Sequence, residues 1–176
     1  MNIKYRELHA HECERMKEIN PARFIKRAWR SVDGVKKWVD LNWLDKDYPE
    51  GYDVHLAALH ATFAGGGFAI GAFAGERLVG FCSVNRAVFG SRHRYVSLDQ
   101  LYVDNMYQGQ GVGKKLFFLS AKKARLWDVC KLYICAGSSE DTLAFYKSLG
   151  CVEALEVNQQ LFESDVNDMQ LEYRLI

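Results

Sequence analysis

The period of the hydrophobic positions changes several times along the chain. Residues 3–8, IKYREL, alternate apolar and polar like a first strand. ECERMKEIN and PARFIKRAWR then read as short helices, the second with Pro21 in its first turn, where the missing N–H is no loss. The first third of the chain is therefore expected to be mostly helical. Over 50–63, EGYDVHLAALHATF puts Tyr52, Leu56, Leu59 and Phe63 on one helical face. Three glycines at 65–67 stop that helix, and the period drops to two. FAIGAFAGERLVGFCSVNRAVF (68–89) is expected to be a hairpin turning near Gly75 and Glu76, and YVSLDQLYV (95–103) a further strand. A long helix over about 111–127, a strand KLYICA (131–136), a helix SSEDTLAFYKSLG (138–150) and a closing strand in DMQLEYRLI complete the pattern. The helix at 138–150 has serines for its N-cap, acids in its first turn and a terminal glycine. Helices, then a meander, then β-α-β-α-β predict a mixed α/β sheet in one layered domain, 1–176.

Composition narrows the class. A chain of 176 residues with 49% hydrophobic positions builds its own core and is not disordered. A net charge of +1 offers no footprint for extended nucleic-acid binding. No apolar run approaches the roughly 18 to 20 residues of a membrane span, so no membrane role is expected. Cys13, Cys82, Cys130, Cys135 and Cys151 form no C-x-x-C pair and read as reduced, buried thiols of a cytoplasmic protein. His9, His11, His55 and His60 lack the spacing of a shared metal face, and His93 sits in a basic turn, so no metal is expected.

The chemistry concentrates in YQGQGVGKKLF (107–117). On the helix that follows, Val112, Leu116, Phe117, Leu119, Ala121, Ala124 and Trp127 share one side, with Lys123 intruding, and Lys114, Lys115, Lys122 and Arg125 cluster opposite. Unpaired N–H groups at a helix start bind anions, glycines let a phosphate approach them, and lysines add charge. A tightly packed strand-to-helix turn is the alternative, which one glycine would satisfy. A P-loop is excluded, because Gln108 stands where its first glycine belongs and Lys115 where it needs Ser or Thr. The dinucleotide fingerprint fails at Lys114, which replaces its last glycine.

What does match is Q-x-x-G-x-G, here Gln108-Gly109-Gln110-Gly111-Val112-Gly113, preceded by LDQLYV. The stretch resembles the acetyl-CoA signature of the GNAT acyltransferase superfamily, and LYICAGSSEDTLAFYKSLGC resembles that family's following strand and helix. The resemblance spans residues 68–157, and the tail SDVNDMQLEYRL is similar to a bacterial subgroup of mostly unassigned substrate. It implies an α/β fold of α+β type, with a central mixed, mostly antiparallel sheet flanked by helices. It also implies acetyl-CoA as co-substrate. Main-chain amides of the loop, with Lys114, would hold the pyrophosphate. Leu101, Tyr102 and Val103, on a strand that splays from its neighbour, would hold pantetheine with Ser139 and Thr142. Ser139 departs from the asparagine many members carry there. Tyr146 falls at the family's general-acid position.

The implied reaction is acetyl transfer to a primary amine by direct attack in a ternary complex. A non-catalytic acyl-CoA-binding or sensing module is the alternative. At pH 7 only about one alkylamine in 2,500 is unprotonated, so a base or a desolvated acceptor site is required. Asp99 is the candidate base, a solvated strand carboxylate being its other reading. Tyr146 lies with Leu143 and Leu149 on its helix's buried face, so a plain core aromatic is its other reading. A phenol near pKa 10 yields its proton uphill to a thiolate near 8.5, so a strengthening hydrogen bond is the expected contribution. Residues 40–53 set Asp40, Asp45, Asp47, Glu50 and Asp53 among Trp43, Tyr48 and Tyr52, which suits a cationic acceptor as well as it suits an anchored surface loop. The acceptor is a small-molecule or protein amine, and the chain a monomer or homodimer.

Overall fold

The computed structural model describes residues 2–175. Strand β1 (Ile3–Glu7) is followed by a 3-10 segment over Ala10–Glu18, then β2 (Arg23–Val32), β3 (Val35–Asp45) and helix α1 (Tyr52–Ala64). A meander of β4 (Phe68–Ala74), β5 (Arg77–Val84) and β6 (Tyr95–Val103) leads into α2 (Val112–Ala124), β7 (Lys131–Ala136) and α3 (Glu140–Ser148). The chain closes with β8 (Val152–Glu153), α4 (Gln159–Ser164) and β9 (Met169–Arg174). Seven strands form one sheet in the order β1-β4-β5-β6-β7-β9-β8, antiparallel except for the β6–β7 pair.

Each face of the sheet has its own core. Leu116, Phe117 and Ala121 of α2 and Leu143 of α3 pack on Val79, Val96, Leu132 and Ile134, all buried. On the other face Met16, Leu59, Phe73, Leu78 and Phe81 close around Tyr48. Each of these large side chains contributes about 1.5–3 kcal/mol on leaving water, so the two layers pin the central strands firmly. α1 presents Tyr52, Leu56, Leu59 and Phe63 to the second core, the face its periodicity predicts. On α2 the buried stripe runs through Ser120, while Leu119 and Trp127 are only half-buried. Lys123 lies over the Phe68 ring and pairs with Glu7, which reconciles a lysine with that side.

The first third departs most from its sequence reading. PARFIKRAWR is no helix: Arg23–Val32 is strand β2, paired with β3 in a hairpin outside the main sheet. Residues 40–53 accordingly hold the end of β3 and the loop into α1, not a helical border. The deciding signal is Asp33-Gly34, both left-handed (φ 52° and 77°), which form the two-residue turn that closes Val32 on Val35. The segment 85–89 falls outside β5, and neither α4 nor β8 is visible as a hydrophobic period. Cys13, Cys82 and Cys151 are buried as expected, but Cys135 is half-buried and Cys130 exposed.

Candidate active site

The site begins with a defect in the sheet. Pairing of β6 with β5 shifts register between Ser83↔Gln100 and Val84↔Leu98, so Asp99 is an extra, bulged residue. Parallel pairing with β7 runs only from Tyr95↔Lys131 to Leu98↔Ile134. Beyond the bulge β6 and β7 part. Asp104 N–H donates to Val79 O at 2.9 Å, which fixes the alternation: Leu101 and Val103 turn their backbone groups away from β5, into the gap. Bare strand edge thus faces a cleft inside a continuous sheet.

The turn after β6 supplies a second set of bare donors. Gly109 and Gly111 sit at φ 72° and 83°, and a Cβ on either would meet nothing within 4 Å. These two glycines are needed for backbone conformation and leave open space in front of the chain. Gly113 differs, having no left-handed φ; it lies in van der Waals reach of Phe145 (3.4 Å) and Val103 (3.5 Å). The first bond of α2 is Lys115 N–H donating to Gly111 O at 3.0 Å, which leaves the N–H groups of Val112, Gly113 and Lys114 without helical acceptors. Gln108 Nε2 donates to Val103 O (3.0 Å), occupying that carbonyl at the cleft, and Gln110 Nε2 donates to Met106 O (2.7 Å); both bonds brace the turn.

Cleft and turn open into one cavity of about 690 Å³. Leu101, Tyr102, Val103, Gln108, Gly109, Gly111, Gly113, Lys114, Ser139, Thr142 and Tyr146 all line it. Gln110 and Val112 do not, and Val112 is buried in the core. Ser139 caps α3, its hydroxyl donating to Thr142 Oγ1 at 2.8 Å; that oxygen also accepts from Arg23 Nη1 at 3.0 Å. The Thr142 proton stays free for a ligand.

Tyr146 is buried against Phe145 and Phe117, and burial pushes its phenol well above the ordinary tyrosine value. No partner for its hydroxyl is found among the described residues. Asp99, by contrast, is not at the cavity. Its carboxylate accepts from Ser83 (3.4 Å), Asn85 (3.2 Å) and Gln100 (3.2 Å), with the Thr62 hydroxyl 3.2 Å away but closer to Asn85 Oδ1 at 2.7 Å. These contacts hold the carboxylate at the bulge.

The cavity's other wall comes from the hairpin, which sequence reasoning missed. Arg23, Phe24 and Ile25 line it with Pro21, and Asp47 and Pro49 join from the loop after β3. The hairpin is held over α3 by Trp29 N–H on Ser138 O (2.8 Å), Arg27 Nε on Glu140 (2.7 Å) and Ala28 packed beside Ser139. His55, which the sequence offers no metal role, packs behind the cavity wall: its ring bridges Gln100 Oε1 (3.0 Å) and Pro49 O (2.8 Å) and stands edge-on to Tyr102. Of the acids in 40–53, Asp47 lines the cavity and Asp45 faces Arg23 at 3.8 Å. No cluster of three or more metal-ligating side chains and no helix long and apolar enough to cross a membrane occur among the described residues.

A split parallel pair thus stands beside a left-handed glycine turn at a helix start. The acetyltransferase (GNAT) family profile matches residues 36–151, and the chain belongs to that family. Among solved structures it is similar to nourseothricin acetyltransferase (TM-score 0.73, 14% identity, all of both chains covered). PaiA N-acetyltransferase from Thermoplasma acidophilum, in complex with coenzyme A, gives 0.61 at 16% identity over 99% of each chain. An aminoglycoside 6′-N-acetyltransferase complexed with coenzyme A gives 0.56 at 14%, covering 72% of this chain and 83% of that one. These likenesses extend the fold over the whole described chain. No curated protein matches by sequence.

Proposed function

We propose that the protein is an N-acetyltransferase that moves acetyl from acetyl-CoA to a primary amine by direct attack in a ternary complex. The observation that carries this reading is the open space in front of Gly109 and Gly111, continuous with the free edge of β6. The residues fit the co-substrate: the turn's N–H groups and Lys114 for the diphosphate, Leu101 and Val103 for the amide-bearing arm, Ser139 and Thr142 opposite. When bound, acetyl-CoA supplies an activated thioester. The protein's part is then to orient, to exclude water and to manage protons. A backbone N–H of Leu101 or Val103, dry and fixed, suits a developing oxyanion. Tyr146 holds its proton too tightly to release it fully, and offers a hydrogen bond that strengthens as sulfur gains charge.

Direct attack is favoured over an acyl-enzyme because no cysteine lines the cavity among the described residues, and burial pushes the Cys135 thiol up to about 12. A cationic amine is the favoured acceptor class. Asp47 and the Tyr102 ring stand at the cavity, and two structural neighbours are named for nourseothricin and for an aminoglycoside 6′ nitrogen. The test is thiol release from acetyl-CoA against an amine library, with calorimetry of acetyl-CoA binding. Turnover with polyamines or amino sugars is expected. Tight binding with no thiol released by any amine would instead mean a sensing module, and absence of binding would remove the reading altogether.

A further inference from the structure

Strand β3 is the outer edge of the hairpin, and among the described residues its free side has no strand partner. We propose that this edge binds a second copy of the chain. The two β3 strands pair antiparallel about a two-fold axis into one four-stranded ribbon, with Lys36 and Trp38 of each copy facing Asp45 and Trp43 of the other.

The strand's composition asks for a partner and its charge says which. β3 runs for eleven residues without proline. Val35, Trp38, Leu41, Trp43 and Leu44 are all exposed along it, Trp43 by 62%. A long apolar edge of this kind is a template for pairing unless something blocks it. Edge lysines often do so, and Lys36 and Lys37 stand here, but across the hairpin they face only Ser31 and Arg30. The acids that would match them, Asp40 and Asp45, lie in the other half of the same strand. A strand with cations at one end and acids at the other complements itself only when antiparallel. That is the arrangement two-fold symmetry imposes on a shared edge.

The backbone sets the register. Trp29 N–H donates away from β3, to Ser138 O at 2.8 Å, so Trp29 and Trp38 are paired without mutual hydrogen bonds. Trp38 therefore turns its own N–H and C=O to the free edge, and alternation sends those of Lys36 and Asp40 the same way. One extra residue then interrupts β3, as pairing passes from Arg27↔Asp40 to Ile25↔Trp43. Ile25 and Arg23 keep the alternation of Arg27 and Trp29 along β2, so their partners Trp43 and Asp45 also point outward. Matching outward residues of one arm with those of the other sets Trp38 against Trp43 and Lys36 against Asp45, each twice. The extra residue falls between the arms, at the axis. All four side chains share the ribbon face on which Trp38 meets Trp29 edge-on, with centroids 5.1 Å apart.

Sedimentation velocity of the full chain from about 1 to 100 µM tests this, with circular dichroism to establish that each variant is folded. Wild type should form a dimer of the 20.2 kDa chain. Lys36→Asp and Asp45→Lys each set like charges face to face at both ends, and each should raise the dimer Kd at least ~10-fold. Combining them in one chain reverses both partners and should return Kd to within about threefold of wild type. Inside one chain the two residues lie roughly 30 Å apart along the strand, so such rescue arises only between copies. Mixing the two single variants should likewise give a heterodimer. Trp43→Thr, which keeps a strand-forming residue, should weaken the dimer by at least ~10-fold. A monomer at every concentration overturns the proposal. So does a dimer that these variants leave intact, or a loss in the single variants that the double does not repair. No acetyl-CoA enters the measurement, so failure here leaves the acetyl-transfer reading standing.

Discussion

The glycine turn and the β2–β3 hairpin face each other across one cavity, and they are specified in opposite ways. The turn acts through backbone. Its two left-handed residues and its free N–H groups require glycine at fixed spacing, so the function is written into residue identity. The hairpin acts through side chains on an ordinary two-stranded ribbon, where Arg23, Phe24 and Ile25 reach the cavity and many other residues would fold as well. On the proposed reading, the family's common ligand meets the constrained half and the variable acceptor the permissive half.

The largest expected effect tests whether the shared wall also carries chemistry. Tyr146→Phe should lower kcat by roughly 10- to 1,000-fold with little change in acetyl-CoA affinity, the behaviour of a group acting on the leaving sulfur. Turnover at the wild-type rate, measured where chemistry is limiting, would leave Tyr146 a packing residue beside Phe145. Next in size is Gly111→Ala. Its methyl group meets no protein atom, but the left-handed conformation costs a non-glycine residue about 1–2 kcal/mol. Calorimetry should show acetyl-CoA binding weakened by about 5- to 30-fold. An unchanged Kd would mean the turn is not the diphosphate site.

Legibility followed the same division. The sheet from Phe68 onward, α2 and α3 could be read because each buries a face of regular period, and the turn because Gly109, Gly111 and Gly113 are hard to explain otherwise. PARFIKRAWR reads as helix because a ribbon docked on α3 along one side shows no clean alternation: Ala28 is buried while Phe24 and Trp43 are 56% and 62% exposed. Its one local signal was the Asp33-Gly34 turn. Asp99 could be placed on the right strand but not in its bulge, since a register shift depends on the partner strand. The bonds of His55 to Gln100 and Pro49 carried no sequence signal, because Gln100 comes from an element distant in the chain.

The hairpin half is tested by loosening its dock. Ala28 is 1% exposed where its backbone bridges Ser139, and Ala28→Leu overfills the buried space around it. Strain of about 1–3 kcal/mol should lift the hairpin and raise the amine KM about tenfold, with a much smaller change in acetyl-CoA Kd. Equal losses in both constants would show that the two walls are not separable.

Asp168→Asn gives a smaller, pH-signed effect on stability. Its folded value of about 6 lies above the ordinary 3.8, so between those values the folded state holds the proton that the unfolded state has lost. Stability contributed by this residue therefore falls as pH rises from about 4 to about 6. Above that range the asparagine variant should be more stable by about 1–2 kcal/mol, allowing for solvent screening. Urea unfolding at pH 4 and pH 7.5 reads the difference, and an equal loss at both would assign Asp168 to the fold.

The smallest expected effect separates the glycines from one another. Gly113 has no left-handed φ, and an added methyl group would touch Phe145 and Val103 at ordinary contact distance. Within a helix, alanine gains about 0.5–1 kcal/mol over glycine, which slight crowding offsets. The melting temperature of Gly113→Ala should therefore stay at the wild-type value or rise slightly, while that of Gly111→Ala falls. If both fall alike, it is packing and not backbone conformation that demands glycine here, and the contrast between the turn and the hairpin loses its physical basis.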